Sequence, residues 1–257
     1  MGSLRGRHTD RSAVPPEHRE YADAMFLDRL GALVRRALVD AGVEPGPTGS
    51  IRLVRSTRPA HGDFGTPVAL RAASGSGRAA MELAEQVRTS LTAASELEQV
   101  TVAPPGFVNV RLTAGALADI CQEIVTGQDR LEGGKQLIVE PRPPIEALVA
   151  IHGRMSNLIR WAGSFGMEPT TEMPQLLTPP VERSIVCALA EYRSIVAAGK
   201  AGLLVAHLSQ IADLLYRADL DHRILPKGDE IPTPEHRTRL LLLSAGQVVL
   251  GAGLGVL

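Results

Sequence analysis

At Pro141-Arg142-Pro143-Pro144 the hydrophobic pattern of the chain changes period, and with it the kind of structure the two sides can form. Proline neither continues a helix interior nor donates to a central strand ladder, so this run closes whatever precedes it. Beyond it, Leu148, Ile151, His152, Met155, Leu158, Ile159 and Ala162 recur at helical spacing as one unbroken stripe. A loop containing Gly and Pro follows over 163–180. Three more helical stripes come after it: Ile185, Leu189, Tyr192 and Val196; Leu204, Leu208, Ile211, Leu215 and Ala218; and Arg237 to Leu250, with Leu240, Leu243, Val248 and Leu250 apolar. Four amphipathic helices with connections of modest length predict a bundle over 145–257.

The other side of the prolines mixes two periods. Residues 1–18 carry Arg5, Arg7, Arg11, Pro15 and Pro16 without apolar periodicity, the composition of a disordered tail. Phe26, Leu30, Leu33, Val34 and Ala37 mark a helix that ends at Gly42 and Pro45. Alternation predicts strands at Ile51–Leu53, Val100–Val102, Phe107–Leu112 and Leu137–Val139. Between them Val68–Ala73 and Ala79–Leu91 read as helices joined by Ser74-Gly75-Ser76-Gly77, and a further helix surrounds Leu117, Ile120 and Ile124. The expected organisation is a tail (1–18), a small mixed α/β domain (19–130), a linker (131–144) and a helical bundle (145–257), fold class α+β.

Catalytic patterns fail one by one. Gly133-Gly134-Lys135 is followed by Gln136 and position 129 is Asp, so the phosphate-binding P-loop is not matched. Gly251-Ala252-Gly253-Leu254-Gly255 is read as a frayed helix end. The seven histidines show no metal-ligand spacing, and His152, on an apolar stripe, is read as a core histidine. No GxSxG is present. Cys121 and Cys187 are too few for a disulfide framework or a thiolate metal site. No catalytic residue, metal ligand or cofactor is therefore expected. With no run near the roughly 20 apolar residues of a membrane span, neither a membrane partner nor a signal peptide is expected, and the address is cytoplasmic. Strong nucleic-acid binding is not expected from charge: residues 145–257 hold ten basic against eleven acidic side chains, and only 3% of the chain is aromatic.

Three local sequences in order carry a resemblance. His61-Gly62-Asp63-Phe64-Gly65-Thr66-Pro67 and, about 40 residues on, Pro104-Pro105-Gly106-Phe107-Val108-Asn109 resemble the N-terminal additional domain of arginyl-tRNA synthetases. Ile151-His152-Gly153-Arg154-Met155-Ser156-Asn157-Leu158-Ile159-Arg160 is similar to the first helix of their all-helical DALR anticodon-binding domain, and Ala206–Leu225, ending Asp221-His222-Arg223-Ile224-Leu225, continues it. In that family a nucleotide-binding domain with HIGH and KMSK signatures lies between the two pieces. Here only about 30 residues connect Arg111 to the first bundle helix and neither signature occurs. The resemblance thus implies a stand-alone paralogue, a pseudoenzyme without adenylate chemistry that acts as a tRNA-binding module.

Under that resemblance the residues expected to contact RNA are Arg154, Asn157 and Trp161, at i, i+3 and i+7 on one helix side with Arg160 beside them, and Arg52, Arg55 and Arg58 on the first domain. Where the family shows an aromatic pair, the chain has Ala218 and Asp219, so weak affinity is expected. The alternative is a protein-interaction or regulatory scaffold, a homodimer or a partner-enzyme binder, with the four leucines Leu240–Leu243 as its seam. A subunit of a split arginine–tRNA ligase is the third reading. Gly62, Asp63, Gly106 and Asn109 are read as structural.

Overall fold

The computed structural model describes residues 25–43, 51–127, 131, 137 and 143–257; the expected tail over 1–18 lies outside them. The first half holds α1 (Phe26–Asp40), β1 (Val54–Arg55), a 3-10 turn (Pro59–His61), β2 (Phe64–Thr66), α2 (Val68–Ser76), α3 (Ala80–Leu91), β3 (Leu97–Ala103), β4 (Phe107–Leu112) and α4 (Ala114–Thr126). The second holds α5 (Pro143–Ser164), a 3-10 turn (Pro174–Leu177), α6 (Pro180–Ala197), α7 (Ala201–Asp221) and α8 (Pro234–Val256). A mixed α/β lobe is followed by an all-helical one, the fold class that the change of period predicts.

The strands form one antiparallel sheet in the order β1-β2-β4-β3. β4 is central, with Val110 opposite Val100 on one side and Phe64 on the other. Its alternation sends Val108, Val110 and Leu112 into the core. One expected strand shifts and one strand was not expected. Pairing starts at Val54 opposite Gly65, not over Ile51–Leu53, and Phe64–Thr66 is a strand too short to show alternation. Ser74-Gly75-Ser76 continues α2 instead of linking two helices; the break comes at Gly77, whose φ is +68°. Of the expected Leu137–Val139 strand only Leu137 is described. It belongs to no strand, and its N–H donates to the carbonyl of Val256 at 2.8 Å.

The two lobes share a core. Phe64, Val110 and Leu112 of the sheet, Leu117, Ile120 and Ile124 of α4, and Ile185, Leu189, Leu241 and Val249 of the bundle form one continuous buried cluster. Leu131, inside the segment read as a linker, is buried in it as well. α5 begins at Pro143, also within that segment. Proline suits a first helical turn, where backbone N–H groups have no carbonyl to meet.

α8 is the central helix, packed against α4, α5, α6 and α7. A helix surrounded on all sides is apolar all round, and this corrects three expectations. Leu240, Leu241, Leu242 and Leu243 are all buried, so the leucine run is intramolecular core and offers no dimer seam. Gly251–Gly255 is helix, not a frayed end: a Cβ at Gly253 would stand 2.6 Å from Leu208, and one at Gly246 2.5 Å from Leu215, so these glycines let α7 approach. By length and composition α8 is also apolar enough to cross a membrane, contrary to the expectation that no such run exists, although 67% of its most apolar stretch is buried inside the bundle.

Candidate nucleic-acid interface

The seven residues expected to meet RNA fall into separate environments. Arg55 is committed to the junction between the lobes. Its backbone N–H donates to Glu191 Oε1 at 2.9 Å, its Nε to Glu191 Oε2 at 3.1 Å and its Nη2 to Gln210 Oε1 at 2.6 Å, tying β1 to α6 and α7. Arg52 and Arg58 are exposed on the same lobe, with no ion pair among the described residues. β1 packs on β2 and α6, whereas α5 packs on α7 and α8, so the fold does not gather the first-lobe arginines with Arg154.

The Gly62-Asp63 turn explains why the junction is closed. Gly62 has φ +75°, and a Cβ there would stand 2.5 Å from the carbonyl oxygen of Val110, so only glycine fits. The turn delivers Asp63 Oδ2 to the N–H of Leu112 at 2.7 Å and to Arg183 Nη1 at 2.6 Å. Arg183 also donates to the carbonyl of Leu112 at 3.1 Å. Sequence reasoning missed Arg183, because helical spacing does not separate a buried arginine from a solvated one. The cleft beside it, about 150 Å³, is smaller than the roughly 300 Å³ at which small-molecule pockets begin. Each of its three arginines is answered by a carboxylate: Arg55 by Glu191, Arg111 by Glu98 and Arg183 by Asp63.

α5 presents a different surface. Arg154, Asn157, Arg160 and Trp161 are all exposed, and Trp161 keeps 57% of its surface in water. The helix end is capped by a local motif. Gly166, at φ +65°, donates to the carbonyl of Gly163 at 3.0 Å and Met167 donates to that of Ala162 at 3.1 Å, a Schellman cap with Ala162 and Met167 buried beneath it. This cap holds Phe165, 51% exposed, one turn beyond Trp161. Phe165 was hidden inside the segment read as a loop; the Gly163 and Gly166 flanking it are the signal that marks a helix end. Arg154 is bound by Asp219 of α7, whose Oδ2 lies 2.8 Å from Nε and 2.6 Å from Nη2.

Two histidines and the two cysteines are held inside the fold. His152 Nε2 lies 2.9 Å from Gln247 Nε2, and the backbone of Gly251 passes close by. His207 Nε2 meets the carbonyl of Ala188 at 3.0 Å, and burial lowers its pKa. Burial pushes the Cys121 thiol up to about 12 and that of Cys187 higher, so neither is a thiolate at neutral pH. Among the described residues no group of three His, Cys, Asp or Glu side chains is placed to hold a metal ion.

With the lobes and the α5 surface in view, comparison with known proteins places the first of them. Residues 28–112 match the arginyl tRNA synthetase N terminal domain. That interval runs from the first turn of α1 to the end of β4, the whole sheet with its covering helices. Similarity to arginine–tRNA ligases extends further. The ligase of Frankia alni is 28% identical over 187 residues, 70% of this chain and 32% of the ligase. That of Anaeromyxobacter sp. (strain K) is 31% identical over 159 residues, 54% of this chain and 27% of the ligase. One from Coxiella burnetii is 28% identical over 148 residues, covering 52% and 25%. The chain spans less than a third of the length of these relatives.

Proposed function

We propose that this chain is a non-catalytic relative of arginine–tRNA ligases that binds tRNA through the outward face of α5, its helical lobe serving as a DALR-type anticodon-binding bundle. The observation that carries this reading is Trp161, half in water at a capped helix end, with Phe165, Asn157 and Arg154 along the same side. Unpaired bases are held by stacking on exposed rings, with nearby donors reaching base edges and phosphates. The match of the first lobe to a synthetase domain makes tRNA the natural nucleic acid. No adenylate step is assigned, because only about 30 residues separate β4 from α5, too few for the domain that carries the HIGH and KMSK signatures in that family.

Trp161 is the single tryptophan, so its fluorescence reports directly on the site. Titration with tRNA at low salt is expected to quench it, and Trp161→Ala is expected to weaken filter binding. Absence of both quenching and retention above an unrelated neutral protein would overturn the proposal; arginine-dependent ATP–pyrophosphate exchange by the chain would overturn its non-catalytic part.

A protein partner is the second reading, favoured by Tyr216 and Leu220, 43% and 63% exposed one turn apart on α7. Sedimentation separates the two: a monomer whose boundary moves only with added tRNA rules this one out.

A further inference from the structure

We infer that Asp219 limits RNA binding at the α5 face by holding the guanidinium of Arg154, an inference that rests on the tRNA reading above. One carboxylate oxygen, Oδ2, accepts from both Nε and Nη2 of Arg154. The two partners differ in exposure: the Asp219 side chain is 8% exposed and that of Arg154 is 50% exposed. The carboxylate is anchored, because Leu215 and Ala212, on the same helix, are packed in the core. The arginine is the partner that reaches water, and it does so with its charge already cancelled.

Affinity for a nucleic-acid backbone comes mainly from free cations that release counterions, so a cation cancelled in place contributes little. An incoming phosphate must share the guanidinium with Asp219 and approach a second negative charge. The same neutralisation surrounds the site. Arg223 Nη1 lies 3.4 Å from Glu230 Oε2. Among the described residues Arg160 has no ion pair, which leaves it as the uncancelled cation of this helix end.

Asp219→Asn keeps an oxygen to accept from Arg154 while removing the charge. It is expected to tighten tRNA binding about five- to ten-fold at low salt, and to steepen the dependence of log K on log salt by about 0.7–0.9, the contribution of one released arginine. Asp221→Asn, two residues away and exposed, makes the same change in net charge without touching Arg154, and is expected to change affinity less than about two-fold. Adding Arg154→Ala to Asp219→Asn is expected to abolish the gain. Asp219→Ala serves as a second variant, with circular dichroism confirming that both fold.

If wild type binds and Trp161→Ala weakens it, but Asp219→Asn gains no more than Asp221→Asn, the inference is overturned and the tRNA reading stands. A gain that survives Arg154→Ala overturns it too. Binding by Asp219→Asn where wild type binds too weakly to measure supports it, and no binding by either protein overturns both readings.

Discussion

Arg183 and Arg154 each meet an aspartate Oδ2 at 2.6 Å, yet they serve opposite ends. Arg183 and its partner Asp63 are both out of water, with side chains 10% and 4% exposed. Arg183 adds a bond to the carbonyl of Leu112, and Asp63 one from its N–H, so the pair fastens the bundle to the sheet. Arg154 keeps half of its side chain in solvent. The distance within an ion pair thus says little about its role. What decides is how far water reaches the pair: at the junction both partners are shielded, and at α5 the arginine stands half in solvent.

The largest effect expected from this contrast is at Asp63. Asp63→Ala leaves the N–H of Leu112 without its acceptor and removes the nearest carboxylate from Arg183, which keeps Glu98 at 3.6 Å and the carbonyls of Leu112 and Thr178, and is expected to cost about 3 kcal/mol in urea unfolding. Arg154→Ala, cutting a pair of the same length, is expected to cost about 1 kcal/mol or less. Equal losses would break the comparison. Next in size is Gly62→Ala, where a positive φ and a Cβ 2.5 Å from the Val110 carbonyl oxygen predict a loss of about 1–3 kcal/mol. A neutral outcome in thermal melts would mean that the turn delivering Asp63 can relax.

Trp161→Ala is expected to leave stability within about 0.5 kcal/mol, as for a surface side chain, while removing about 1–3 kcal/mol of tRNA binding. A large loss of stability instead would make Trp161 a packing residue like those at the junction. The smallest effect concerns His207 in the bundle core. Burial is the main cause of its lowered pKa; the bond to the Ala188 carbonyl and the charge of Glu191 act in the opposite direction. The folded protein therefore resists protonation there, whereas the unfolded chain takes up a proton near about pH 6.5. Stability is complete above that pH and falls as the pH drops from there toward the lower folded value. The urea midpoint of wild type is expected to fall between pH 7.5 and 5.5 more than that of His207→Gln.

Much of the architecture is legible in the sequence. The stripes from Leu148 to Ala162 and from Leu204 to Ala218 became α5 and α7, and Phe107–Leu112 became the central strand. These patterns are legible because one buried face imposes its period on neighbouring residues. The candidate site was legible only in part. Arg154, Asn157 and Trp161 share an exposed side of α5, as their spacing implied, but Phe165 emerged only with the helix cap, and Arg55 went to the junction. α8 was underestimated because a helix enclosed on all sides has no polar face to mark its limits.

Spacing alone settled most of the helices, the strand at Phe107–Leu112 and the α/β-then-helical order, and backbone freedom marked the turn at Gly62. These depend on interactions a few residues long, written into spacing and backbone freedom. Tertiary structure alone decided which arginines are buried. Arg183 meets a carboxylate 120 residues away and Arg55 one 136 residues away. Solvent exclusion, which separates a structural ion pair from an available one, is a property of the packed core that both lobes build together.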